Sequence, residues 1–587
     1  MQNRPIKHES LLYLLAFTLA ITLRLTNLGT LSLGNTEAEW ALQALSVAQG
    51  NRPLLGPQPA YILPTSLLFF LFGTSNFLAR LIPVLAGIGL IFVPYMFRTR
   101  LKPIPSLLLT FFLVLDPGLV SLSRQAGSLM PALSSIFLTW AFWYQKRPRA
   151  LGIFAGLALL SGSSVWAGLL SLGLALGLKW IFELPFANDK DQKKIPSEKA
   201  KQNFVSALGD DLKKPLIYIG ATLLLGGTLF LLAPNGLSAW LNSLPVYLAS
   251  WFQPSGVPAS RLLFALLVYQ PFALVFGLLA IVRGWWQEQR ARLLLSLWFI
   301  TGLILAMVYP ARQVSDLVWA LVPLWVLAAF ELSSHSQILL KKNHQVAWVA
   351  TLVVILLTFS WLVYAGIAIN PNSAATNAIS FGGVALPPTP YISLISVLLL
   401  LVVSILLIAL GWSTQLARLG LVWGLTIAVG IYSLGISWGA TGLRTSNGWE
   451  LWWPEGRFSQ ADLVLRTVND QSEWSTGHAH SQEVTLLELE SPSLEWLLRD
   501  RKVTTVSTLD IQEAPAIVIS TQNVGLNLTT AYRGQDFVWR QEPAWELLTR
   551  NDWIKWSVFR EMRYHSETII VWVRNDLFLD TSGSFPQ

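Results

Sequence analysis

Apolar stretches close to the roughly 20 residues needed to cross hydrocarbon recur along most of this chain, and nothing else in it restricts the fold so strongly. They fall at residues 11–28, 77–97, 104–122, 129–144, 151–182, 216–232, 262–282, 293–309, 314–332, 346–369, 391–410 and 419–438. The stretch 151–182 is long enough for two short helices, which brings the expected number of spans to about thirteen. Each backbone amide inside a bilayer needs a partner within the protein, so such stretches must be helices. Composition agrees: 53% of the 587 residues are apolar and only 13% are charged, which excludes an ordinary soluble enzyme.

Loop charge gives the orientation independently. Lys and Arg cluster at Arg4 and Lys7, at Arg98, Arg100 and Lys102, at Lys146, Arg147 and Arg149, and along residues 190–214. They return at Arg283, Arg290 and Arg292, at Lys341 and Lys342, and at Arg418. With the spans above, all of these share one face, which the positive-inside rule makes cytoplasmic. The N-terminus is then cytoplasmic, and residues 29–76, 116–128, 234–260, 310–313, 370–390 and 439–587 are extracytoplasmic. Residues 183–214 form a polar cytoplasmic loop that need not fold.

The chain divides near residue 438. Residues 1–438 form the membrane domain, while residues 439–587 carry 13 Lys and Arg against 20 Asp and Glu, a net −7 that leaves +15 for the rest of a chain whose total is +8. That positive charge faces anionic lipid and does not call for nucleic acid. In the last 149 residues apolar runs shorten and alternate at 483–489, 503–509, 516–520 and 568–573, with helical spacing at 458–468 and 492–498. This predicts a small extracytoplasmic α/β domain. There is no cysteine, which excludes a disulfide framework and a thiolate metal site.

Chemistry concentrates behind the first span. Thr36-Glu37-Ala38-Glu39 fits a capping box in which Glu39 folds back onto the cap amide. In the helix that follows, Ala38, Ala41, Leu42, Leu45 and Ala48 form one stripe, with Glu37 near its edge and Glu39 nearly opposite. Glu37 is therefore the carboxylate placed to face a cavity and act as a general base, with Glu39 the second candidate acid; a solvated acidic helix start is the alternative.

Arg24, Asn35-Thr36-Glu37-Ala38, the stretch 61–73 and Phe77-Leu78-Ala79-Arg80-Leu81-Ile82-Pro83 together resemble the start of the GT-C membrane glycosyltransferases, in particular family 39 protein mannosyltransferases and aminoarabinose lipid A transferases. Leu115-Asp116-Pro117 with Ser123-Arg124 is similar to their second extracytoplasmic loop. The likeness runs over roughly residues 11–330 as order and spacing. Ser491-Pro492, Trp496-Leu497-Leu498-Arg499-Asp500, Tyr532-Arg533-Gly534 and Val571-Trp572-Val573-Arg574 look like the tails of bacterial and archaeal members associated with glycan export. The resemblance implies inverting transfer of a hexose or pentose from a polyprenyl-phosphate donor to an extracytoplasmic protein, lipid or glycan acceptor. It places the base in the first loop, where this chain has Thr36-Glu37 in place of the usual Asp-Glu, and Gly127-Ser128-Leu129 where a further aspartate is expected.

A departing phosphate wants guanidinium partners. Arg80, Arg124 and Arg312 fall on the extracytoplasmic side, with interfacial snorkelling or pairing to Asp116 and Asp316 as the alternative for each. Arg312, in Tyr309-Pro310-Ala311-Arg312, stands where the resemblance places the carrier phosphate. Trp251, with Trp240, Tyr247 and Phe252, lies in one exported loop and either stacks on sugar or anchors at the interface. The expected substrate contacts are therefore Arg80, Asp116, Arg124, Arg312 and Trp251. His478 and His480 read as a polar loop before a zinc site, and Asn527-Leu528-Thr529 as a chance sequon. No cofactor is called for, with a divalent cation kept as the alternative. The competing function is a non-catalytic protein on the same bundle that binds lipid-linked glycan or accompanies a flippase. A secondary transporter would need mid-span charge, which the spans nearly lack.

Overall fold

The computed structural model describes residues 8–183, 213–287, 289–336, 343–369, 380–381, 384–385, 389–440, 449–453, 455–509, 514–522 and 530–578. Most of the 183–214 loop, Arg4, Lys7, Lys341, Lys342 and the Asn527 sequon lie outside these residues. Long apolar helices dominate. Among the described residues seven are long and apolar enough to cross a membrane, or nine when each of two bent pairs counts as one span. This is a polytopic membrane protein.

Helix boundaries follow local chemistry. Leu129–Tyr144 and Asn76–Met96 occupy the expected stretches, and 151–182 divides into Pro148–Leu160 and Ser164–Glu183. Two expected single spans are instead sharply bent. The first is Pro103–Leu115 with Pro117–Ser123, at 57°, and the second Ala259–Tyr269 with Pro271–Trp286, at 95°. Both bends lie directly before a proline that takes the first position of the second helix, where its missing N–H costs nothing. Residues 29–76, expected as a loop with one helix after Thr36, contain two helices, Asn35–Ala48 and Pro59–Phe72. The second is apolar but only 14 residues long, about 21 Å at the helical rise, too short to span.

After the last span helix, Thr414–Ala440, the chain builds a six-stranded mixed sheet. Val484–Leu487 pairs in parallel with Val503–Val506 on one side and Ile517–Thr521 on the other. Tyr564–Arg574 then pairs antiparallel with Ile517–Thr521 and with the long strand Tyr532–Pro543, whose outer edge takes Arg457–Phe458. The strand Tyr532–Pro543 and the helix Arg550–Phe559 had no counterpart in the sequence reading.

The sheet has its own apolar core, built around Val464, Val484, Leu494, Ile517, Phe537 and Val571. Trp449, Leu451, Trp452 and Trp556, all from the same C-terminal segment, belong to the core of the helix bundle instead. A second seam joins the sheet unit to the segment after the first helix. There Asn35 accepts from the Ser493 amide and hydroxyl at 3.3 and 2.6 Å, Trp496 Nε1 donates to Asn76 Oδ1 at 2.8 Å, and Arg499 donates to Thr74 at 3.0 Å.

Candidate functional site

Between these two seams lies a cavity of about 930 Å³. Its walls come from the segment after the first helix (Thr36, Glu37), the turn after Ser123 (Gln125, Ala126), the start of the helix Ala259–Tyr269 (Arg261), residues 313–315, and the C-terminal segment. The last of these contributes Trp449, Glu450, Trp453, Glu455, Arg457 and Trp545. Volume in this range suits a ligand the size of a sugar with part of its carrier.

Glu37 is on that wall, yet every lone pair direction has a donor. Arg80 grips it with both edges of its fork, Nε to Oε1 at 3.0 Å and Nη2 to Oε2 at 2.6 Å. The amides of Ala126 and Gly34 complete the set at 2.7 and 3.1 Å. The cap is therefore Gly34, whose amide donates to the Glu37 carboxylate, which corrects the assignment of a capping box to Thr36 and Glu39. Glycine serves well at the cap, and the third residue after it is Glu37. Glu39 is exposed and outside the cavity.

Arg80 is fully consumed in return. Besides Glu37, its Nη1 donates to the Leu28 and Leu31 carbonyls at 3.1 and 2.8 Å and its Nη2 to Ser32 at 3.1 Å, so all five N–H groups of the guanidinium are used. Arg124 closes over the open end of the first helix, reaching the carbonyls of Leu23, Arg24, Thr26 and Asn27. Arg24 does the same at Leu113 and Val114 before the Asp116 bend. Asp116 itself caps Pro117–Ser123 through the Leu119 amide at 2.6 Å and accepts from Trp325 Nε1 at 2.6 Å. Among the described residues no arginine forms a salt bridge with Asp116 or Asp316; the Asp316 carboxylate caps its own turn through the Gln313 amide at 2.8 Å.

Arg312 and Trp251 meet at Tyr309, and neither is among the residues that line the cavity. Arg312 donates to the carbonyls of Tyr309 and Val257 at 3.0 and 2.9 Å, and Trp251 meets the Tyr309 ring edge-on at 5.3 Å between centroids. His478 and His480 are exposed, and among the described residues no three His, Asp or Glu side chains converge as a metal site.

Four cavity residues had gone unread in the sequence. Arg261 lines the cavity with an Nε that has no hydrogen-bond partner among the described residues, its guanidinium 5.3 Å from the Trp545 ring. Arg457 lies 5.2 Å from the Trp449 ring, and burial lowers its pKa while Glu450 opposes the shift. Glu450 accepts from the Tyr269 hydroxyl and pairs with Arg560 at 3.5 Å. Glu455 follows Trp452-Trp453, and an aromatic pair just beyond a final span was the one local signal pointing to this turn.

No protein-family model and no curated protein matches the sequence. Solved structures do. ArnT from Cupriavidus metallidurans bound to undecaprenyl phosphate superposes with a TM-score of 0.54 over 98% of this chain and 99% of its own, at 15% identity. The apo state of the same protein gives 0.53 over 99% and 100%, at 13% identity. This chain has the GT-C fold. Its bundle, the bent spans and the C-terminal sheet unit all take part in that correspondence, because the superposition covers nearly the whole length of both chains. The GT-C fold agrees with the resemblance drawn from Arg24, Asn35 to Ala38 and Phe77 to Pro83.

Proposed function

We propose that this membrane protein is a glycosyltransferase that moves a sugar from a polyprenyl-phosphate carrier to an acceptor in the cavity between the bundle and the C-terminal unit. One observation carries the reading. A cavity of about 930 Å³ holds carboxylates (Glu37, Glu450, Glu455) and guanidinium groups (Arg261, Arg457) side by side, which is the pairing that proton removal from an acceptor and charge stabilisation on a departing phosphate require. A GT-C neighbour bound to undecaprenyl phosphate supports the carrier class. In this reading the chain spans the bilayer about thirteen times with a cytoplasmic N-terminus, and the cavity opens on the extracytoplasmic side.

Glu37 and Arg80 hold the first exported segment in shape, and Arg261 and Arg457 are the cavity's cations for the donor phosphate. Arg312 and Trp251 shape its flank at Tyr309, and Asp116 and Arg124 fix the bent span beneath. The saturation of Glu37 favours one second reading, a protein that binds lipid-linked glycan without transferring it. Transfer of labelled sugar from a panel of polyprenyl-phosphate donors, in proteoliposomes, separates the two: product formation supports the enzyme, and carrier binding with no product over the whole panel rejects it.

A further inference from the structure

Two carboxylates on the cavity wall are in opposite states. Glu37 has four donors and no lone pair to spare, so taking a proton would mean giving up an existing bond. Glu455 has one. Its Oε1 accepts from the Thr36 amide at 2.8 Å, while Oε2 is shielded from solvent and has no hydrogen-bond partner among the described residues. A Cβ at position 34 would overlap that second oxygen, so Gly34 is what allows the carboxylate to lie against the first exported segment. The residue thus crosses from the C-terminal segment to Thr36, 419 positions away in the chain, with its second oxygen packed against Gly34 in the wall of a cavity that both segments line.

We infer that Glu455 is the catalytic base of the transfer, contributed by the C-terminal segment, with Glu37 acting as a positioning residue through Arg80. The inference rests on the glycosyltransferase reading above. In the step, the acceptor hydroxyl gives its proton to Glu455 Oε2 as its oxygen forms a bond to the anomeric carbon. The bond from that carbon to the phosphate oxygen breaks, and its electron pair leaves with the polyprenyl phosphate. Burial raises the Glu455 pKa above its ordinary 4.5, the negative Glu37 pushes in the same direction, and the bonds from Thr36 and the charge of Arg540 work against both. A carboxyl held in that state is a stronger proton acceptor once ionised. The charged groups around it are Glu37 and Arg80 on the membrane side, and Glu450, Arg457 and Arg540 on its own.

The test compares wild type with Glu455→Gln and Glu455→Ala in the labelled-sugar assay. Glutamine keeps an oxygen for the Thr36 amide, so the fold and the donor KM stay within about threefold while kcat falls by roughly 10²- to 10⁴-fold, the range for loss of a general base. The alanine variant regains turnover on addition of formate, and the acidic limb of the wild-type pH profile disappears in both variants. Glutamine turnover within threefold of wild type would overturn the assignment. Loss of turnover with no formate response and an unchanged acidic limb would also overturn it, leaving Glu455 a docking contact. If wild type transfers nothing from any donor, the glycosyltransferase reading fails first and this inference with it.

Discussion

Two sets of arginines on the same side of the molecule do different things. Arg24, Arg80 and Arg124 are almost completely enclosed, at 0%, 1% and 3% exposure, and spend most of their donors on backbone carbonyls. Arg261 and Arg457 stand on the cavity wall against tryptophan rings. The difference comes from where helices end. A helix that stops inside a bundle leaves carbonyls with no intrahelical partner, and neither water nor lipid can supply a donor there. A guanidinium with five N–H groups meets that need in one residue. A positive charge on the face away from the basic loops is thus as well explained by an interrupted helix as by an anionic ligand, and only its hydrogen-bond partners tell which.

The contrast can be broken most forcefully at Arg80. Replacing it with alanine leaves the Glu37 carboxylate buried beside three unpaired carbonyls, and the expected cost is roughly 3–5 kcal/mol, as for removal of one partner of a buried pair. The measurement is the unfolding midpoint in detergent; a loss below about 1 kcal/mol would mean that the fork is dispensable. Trp325→Phe is a narrower probe of the same class. It removes the indole donor at Asp116 Oδ2 and is expected to cost about 1–3 kcal/mol, again read as a midpoint shift.

Arg261→Ala should behave in the other way. We expect stability within about 1 kcal/mol of wild type and weaker binding of undecaprenyl phosphate, by roughly 10- to 100-fold if one or two charge-assisted bonds to phosphate are lost. Equal binding by the two proteins would remove Arg261 from the donor site.

The smallest effect is on pH. The folded pKa of Glu455 is raised above 4.5 by burial, so the folded state holds the proton longer than the unfolded chain. Stability should then fall as pH rises from the ordinary glutamate value through the raised one, and be greatest below that window. In Glu455→Gln that slope should vanish while the rest of the stability–pH curve is kept, and an unchanged slope would contradict the burial of this carboxyl.

Much of the bundle was legible because it rests on one-dimensional signals. Residues 129–144 are apolar between Gly127-Ser128 and a basic cluster, and hydropathy alone delimits such a helix. The bends at Asp116 and Gln270 carried a signal that was passed over, since each precedes a proline at the start of a helix inside a continuous apolar run. Pro59–Phe72 was missed because a window tuned to 20 residues does not register 14. At the site the 3.6-residue stripe puts Glu37 near its edge and Glu39 nearly opposite, and the two residues are buried and exposed, respectively. The sequence reading set the cap two residues late because Thr36 is a stronger cap type than Gly34. Neither the Arg80 fork nor the approach of Glu455 to Thr36 had any trace in local pattern, because both depend on which distant segments the tertiary fold brings together.

The tryptophans at 449, 452 and 556 give the chain an order of completion. They pack into the core of the helix bundle, yet all of them follow its last span helix, Thr414–Ala440, in the chain. Helices inserted earlier must wait in the bilayer with an unfilled seam until residues 449–556 have been delivered and folded back upon them. A prematurely terminated product therefore carries a defect in its oldest part, and quality-control machinery that inspects membrane helices would detect an error made hundreds of codons downstream.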